Sequence, residues 1–175
     1  MKKKLLLKKM EQLETSRQKL LAELEKEDKG IFHTKPAPDK WCIAQVFYHL
    51  NSSESISINY VQKKMLGGDS IKKTGVPAAF RSMLVKTVLR SGYKLKAPKL
   101  LGDMPEEVNY HKMVDSWNET RIRLSELIHS MPETLIEREV YYHPLAGRMN
   151  LLHMLEFFKD HFDHHLTQID RLKKQ

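Results

Sequence analysis

The 175-residue chain has a single cysteine, Cys42. That excludes an internal disulfide and any zinc site built on several thiolates. A metal ion held by this chain needs His, Asp or Glu. Long apolar runs are also missing. The amino terminus, MKKKLLLKKMEQ, sets three leucines between lysines, whereas a secretory signal carries roughly 7–15 consecutive apolar residues. No stretch approaches the roughly 20 apolar residues of a membrane span. These absences predict a soluble, cytoplasmic chain with no membrane partner. Also absent are an alternation of strands and helices, internal repeats, low-complexity segments and any recognised DNA-binding motif, so nucleic acid is not an expected partner.

Hydrophobic residues make up 41% of the chain, enough to bury a core, and the length suits one domain spanning 1–175. The net charge of +8 is unevenly spread. Between Lys63 and Lys99 stand ten basic residues and one acid, Asp69, so that segment carries +9 and the remainder −1. Such asymmetry can mark an anion-binding face, the plainer alternative being a lysine-rich solvated surface.

Helical periodicity dominates the pattern. Apolar residues at spacings of three and four predict helices over 5–25 (seam Met10, Leu13, Arg17, Leu20, Leu24), 42–65 (Ile43, Val46, Phe47, Leu50, continued by Ser53 and Ser57), 77–90 (Phe80, Leu84, Val88 inward), 105–131 (Tyr110, Val114, Trp117, Arg121, Leu124, Ile128, Met131) and 150–173 (Leu151, Leu155, Phe158, Phe162, His165, Ile169, Leu172). Two prolines and two glycines between Ser91 and Pro105 predict a loop long enough to form a lid or a pocket wall. The stretch 139–147 reads as extended, with a turn at His143–Pro144. Four long helices and a shorter one, without βαβ units, predict an all-α bundle.

Nine histidines supply the chemistry. His161 and His165 stand four apart on the last helix, which puts both rings on one face about 5–6 Å apart at Cβ. His165 lies on the buried seam and His161 on its flank, whereas His164 and His153 are expected to face solvent. A third ligand is expected from another helix, and His49, beside the buried Val46 and Leu50, is the candidate. Three neutral imidazoles leave coordination positions open, the pattern of a catalytic metal site. The alternative is that His49 is a satisfied core residue and His161–His165 an accidental pair. His33, His111, His129 and His143 have no partner at metal spacing and are given no role. Trp41, Trp117 and Tyr142 read as packing residues.

The string Lys40-Trp41-Cys42-Ile43-Ala44-Gln45-Val46-Phe47-Tyr48-His49-Leu50, with Ser53-Glu54 after it, resembles the opening motif of the DinB-like superfamily. His143-Pro144, Gly147 and then His161-xxx-His165-xx-Gln168-Ile169 are similar to that family's closing motif. The resemblance runs from about Thr15–Ser16–Arg17 to Ile169. It implies an up-down four-helix bundle with an additional short helix and long loops, often dimeric, with a trihistidine site for a divalent ion such as zinc or nickel, iron and manganese being further options. Carried over residue by residue, the ligands are His49, His161 and His165. The chain departs from the family at Cys42, where serine is usual and would cap the helix; Asp39 is the expected helper.

Some relatives in that family are transferases acting with low-molecular-weight thiols such as bacillithiol and mycothiol, one is a thiol-dependent isomerase, and others are held to be metal-dependent hydrolases. The resemblance therefore implies a small-molecule substrate and a thiol cofactor. Arg121, on the inward seam, is the candidate cofactor-binding residue, with an ion-paired core-edge arginine as the alternative. Hydrolysis needs a general base near the ion. Glu54 is about 140° around the helix from His49 at 100° per residue, and Gln168 cannot act as a base, so the sequence offers none.

Overall fold

The computed structural model describes residues 2–91 and 104–174. Five α-helices form over Lys2–Leu24 (α1), Ile43–Met65 (α2), Val76–Arg90 (α3), Tyr110–Ser130 (α4) and Leu151–Leu172 (α5), and a hairpin pairs Tyr141–His143 (β1) with Gly147–Met149 (β2). Helices α1, α2, α4 and α5 pack into a four-helix bundle: α2 lies against α4 and α5, and α1 against the same two. The short α3 sits outside, on α5 and β2. The described residues are therefore predominantly α-helical, with one small hairpin.

Local chemistry explains the helix ends. Asn109 and Asn150 each accept a hydrogen bond from the backbone N–H three residues on, at 3.0 Å, and so start α4 and α5. This moves the start of α4 from the expected residue 105 to Tyr110. Cys42 begins α2 without a serine. Gln45 Oε1 accepts the Cys42 N–H at 3.2 Å, while its amide nitrogen donates to the Pro105 carbonyl at 2.9 Å. Gln45 thus caps the start of α2 and ties it to the approach to α4. In the hairpin, Gly147 takes φ of +73° where three turn residues return the chain, a conformation that costs a residue with a Cβ.

The expected seams of α1, α2, α4 and α5 are the buried ones, with Leu13, Leu20, Leu24, Ile43, Val46, Phe47, Trp117, Leu124, Leu155 and Ile169 all at 2% exposure or less. Helix α3 is rotated relative to expectation. Phe80 and Leu84 are exposed, Val88 is half-buried, and Ala78 and Leu89 face α5 and the hairpin. The reason is that α3 is apolar on two sides, and its polar ties choose between them. Arg81 donates to the carbonyls of Ala146 (2.5 Å) and Arg148 (2.9 Å), and Arg90 pairs with Asp160 at 3.0 Å. The expected loop falls mostly on 92–103, outside the described residues.

A charged layer crosses the bundle at Trp117. Glu54 of α2 accepts from Trp117 Nε1 at 3.0 Å and from Arg121 Nη2 at 2.8 Å. Arg17 of α1 lies 5.6 Å from the Trp117 ring centroid and Arg121 5.8 Å from it, and Glu14 takes two hydrogen bonds from Arg17. Glu54, Arg17 and Arg121 are buried. Removing one partner of such a pair leaves a charge in the interior. Glu54→Leu and Arg121→Leu are each expected to lower stability by about 3–5 kcal/mol, while the double variant regains most of the loss. Urea denaturation measures this; single-variant losses below about 1 kcal/mol would show that the layer is solvated.

Candidate metal centre

The bundle brings together the three histidines expected from spacing. Val46 and Leu50 fix the rotation of α2 by burying one stripe, and His49 beside them turns toward α5. Phe158, Phe162 and Ile169 do the same for α5, and His161 and His165 lie one turn apart on the facing side. His49, His161 and His165 are each buried to 7% exposure. One nitrogen from each ring lies within 4.8 Å of the others, and Nε2 of His49 is 3.0 Å from Nε2 of His161. Two nitrogens bound to one ion at about 2.0–2.1 Å in tetrahedral geometry stand about 3.3 Å apart. The donor set fits a divalent ion, and among the described residues it is the one such cluster of three or more ligating side chains.

Each ring is held from behind. His165 Nδ1 donates to Gln168 Oε1 at 2.9 Å, which leaves its Nε2 lone pair for the cluster. Phe157 stacks on His161 with ring centroids 5.1 Å apart and planes 13° apart. Trp41, half-buried, lies 5.0 Å from the His49 ring and 6.4 Å from that of His165. Its expected packing role is therefore exercised on the histidines themselves. Trp117 is a core residue, whereas Tyr142 is exposed on the hairpin beside Tyr60.

Two histidines expected to face solvent do not simply do so. His164 is half-buried, donates from Nδ1 to the Leu89 carbonyl at 2.9 Å and packs edge-on against His165. His153 is half-buried, and its Nδ1 is enclosed without a partner. Non-local contact with α3 overrides the helical-wheel argument for His164. His143, given no role by the sequence, is buried and caps the hairpin turn: its Nδ1 accepts the backbone N–H groups of Leu145 and Ala146, both at 3.2 Å. Its ring meets Phe157 edge-to-face at 4.5 Å, so Phe157 links His143 to His161. The His-Pro spacing was the available signal, but ligand spacing alone did not reveal a turn cap.

Arg121 is engaged by Glu54 and Trp117, with Nε and Nη1 enclosed and unpartnered. That placement favours the ion-paired alternative over a cofactor contact. Within the described part of the basic segment, Arg90 pairs with Asp160, the residue before His161. Lys94, Lys96 and Lys99 lie outside the described residues.

The family model of the DinB superfamily matches residues 12–169, and the chain belongs to that superfamily. No curated protein and no solved structure matches it. Among the described residues, no helix is long and apolar enough to cross a membrane.

Burial sets the protonation of these rings. It lowers His49 to about 4, with His164 adding to the effect, and His165 to about 3. It holds His161 well below the usual histidine range and lowers His143 to about 4. Unfolding returns each to its ordinary value near 6.5, so below that pH the unfolded chain binds more protons than the folded one. Stability of the metal-free protein is therefore expected to be level above pH 7 and to fall steadily from about pH 6.5 toward 4. Melting temperatures of chelator-treated protein between pH 7.5 and 5 test this; a midpoint unchanged across that window would mean that the rings are not buried neutral.

Proposed function

We propose that His49, His161 and His165 bind one divalent ion, zinc or nickel before iron or manganese, and that the centre serves an enzyme transferring a low-molecular-weight thiol to an electrophilic small molecule. The observation that carries the metal reading is the convergence of three buried imidazoles from two helices, with His165 Nε2 freed by Gln168. Imidazole ligands suit zinc, nickel and iron. Neutral rings add no negative charge, so a bound ion would keep its full Lewis acidity and favour an anionic sulfur at neutral pH.

The chain's own residues supply the rest. Trp41 and Phe157 give the centre aromatic walls against His49, His165 and His161, and such walls favour a soft, weakly hydrated ligand atom. The alternative, a metal-dependent hydrolase, calls for a carboxylate to take a proton from water. Glu54 is turned to Arg121 and Trp117, and Asp160 is bonded to Arg90. Both are held by cations, which favours transfer over hydrolysis. A non-enzymatic, metal-stabilised protein is a third reading. A cytoplasmic location and a homodimer belong to this proposal as expectations from the family.

Elemental analysis of untagged protein tests the site. Wild type is expected to carry about one equivalent of a divalent transition metal, and His49→Ala and His161→Ala to lose it, since two remaining imidazoles hold an ion poorly. Retention in both variants would overturn the trihistidine reading. If the ion is present, consumption of a low-molecular-weight thiol with an electrophile, abolished in the same variants, distinguishes transfer from hydrolysis.

A further inference from the structure

One polar contact reaches the outer side of the histidine cluster. Gln168 lies three residues after His165 on α5, half-buried, and its Oε1 accepts the His165 Nδ1–H at 2.9 Å. The cluster's other neighbours include rings: Trp41 near His49 and His165, Phe157 stacked on His161, and His164 edge-on to His165. Rings restrict tilt, but they do not distinguish one imidazole nitrogen from the other. A neutral imidazole can carry its proton on either nitrogen, and it can flip by half a turn. Only a group that accepts from Nδ1 selects the tautomer whose Nε2 lone pair faces the centre.

We propose that Gln168 is a positioning residue for the metal centre. It pins the tautomer and orientation of His165, and because it is a neutral amide it does so without bringing a negative charge. The inference rests on the trihistidine reading. An acceptor behind a ligating histidine is commonly a carboxylate or a backbone carbonyl, and a carboxylate increases the basicity of the ring. Here none of the three ligands is anionic and the acceptor on His165 is uncharged. The centre would therefore hold its ion less tightly than a carboxylate-backed one, but leave it more strongly electron-withdrawing. That balance suits activation of a bound small molecule more than structural retention of the ion.

Two substitutions separate this role from packing. In Gln168→Leu the size is nearly kept and the acceptor is lost; in Gln168→Glu the acceptor is kept and gains a charge. Zinc affinity of the untagged full chain is measured by competition with a chromophoric chelator at pH 7.5. Circular dichroism and melting of the chelated proteins check that all fold. Gln168→Leu is expected to bind about 10–100-fold more weakly than wild type, the usual effect of losing an outer partner. Gln168→Glu is expected to bind at least as tightly as wild type. Wild-type affinity in Gln168→Leu overturns the inference, as does a comparable loss in both variants, which would mark a packing residue. Failure of wild type itself to take up zinc overturns the trihistidine reading beneath it, a result distinct from either.

Discussion

Three imidazoles buried against one another are the constraint on which this structure turns. Each ring is held neutral by its surroundings and each must place one nitrogen toward the same point, His49 from α2 and the other two from α5. That requires a fixed distance and a fixed rotation between two helices. Neither follows from helix propensity, which is indifferent to what lies across the bundle. The apolar stripes supply the attraction, since Val46, Phe47 and Leu50 on one helix and Phe158, Phe162 and Ile169 on the other are almost wholly removed from water. They also help to set the register, because close-packed side chains interdigitate across the contact.

The charged layer adds a second constraint, on α2 against α4. Glu54 sits five residues beyond His49 on α2 and is bonded to both Trp117 and Arg121 of α4. A shift of α2 along its axis would strand a buried carboxylate and a buried guanidinium together. Helix α2 therefore does separate work on separate sides: an apolar stripe for the core, His49 for α5, Glu54 for α4. This also explains why Arg121 faces inward. Its position on the seam reflects Glu54, and the seam alone could not distinguish an arginine waiting for an anion from one already paired.

The same distinction accounts for what could be read from the amino-acid sequence. Helix α5 shows its main apolar stripe directly in the spacing of Leu151, Leu155, Phe158 and Phe162. The pair His161–His165 was legible because four residues along a helix is a local relation, and His49 because its neighbours mark a buried stripe. The family motifs joined the two halves, which spacing alone could not do. Helix α3 was misread because it carries two apolar faces, and the choice between them is made by Arg81 and Arg90 through partners more than sixty residues away. His164 and His143 escaped for a like reason: one answers to the Leu89 carbonyl and the other to a turn. Gln168 was visible as a letter beside His165, but an amide is not a base, and its value lies in accepting a bond rather than taking a proton.

The contact between His49 and His161 bears on how an ion would enter. With both rings neutral and their Nε2 atoms 3.0 Å apart, one ring must donate and the other accept, because two lone pairs at that distance repel. A bound cation would use both lone pairs, so the donating ring would then carry its proton on Nδ1. His165 needs no such change, since Gln168 already holds its proton on Nδ1. Because burial keeps all three rings unprotonated at neutral pH, uptake needs a tautomer change in one ring rather than loss of protons to solvent. The energetic cost of burying three unprotonated histidines is thus met during folding, and an ion would encounter ligands already in the charge state it requires. A histidine cluster selected only for stability would gain nothing from that arrangement, since apolar residues of similar size fill the same space without the desolvation penalty.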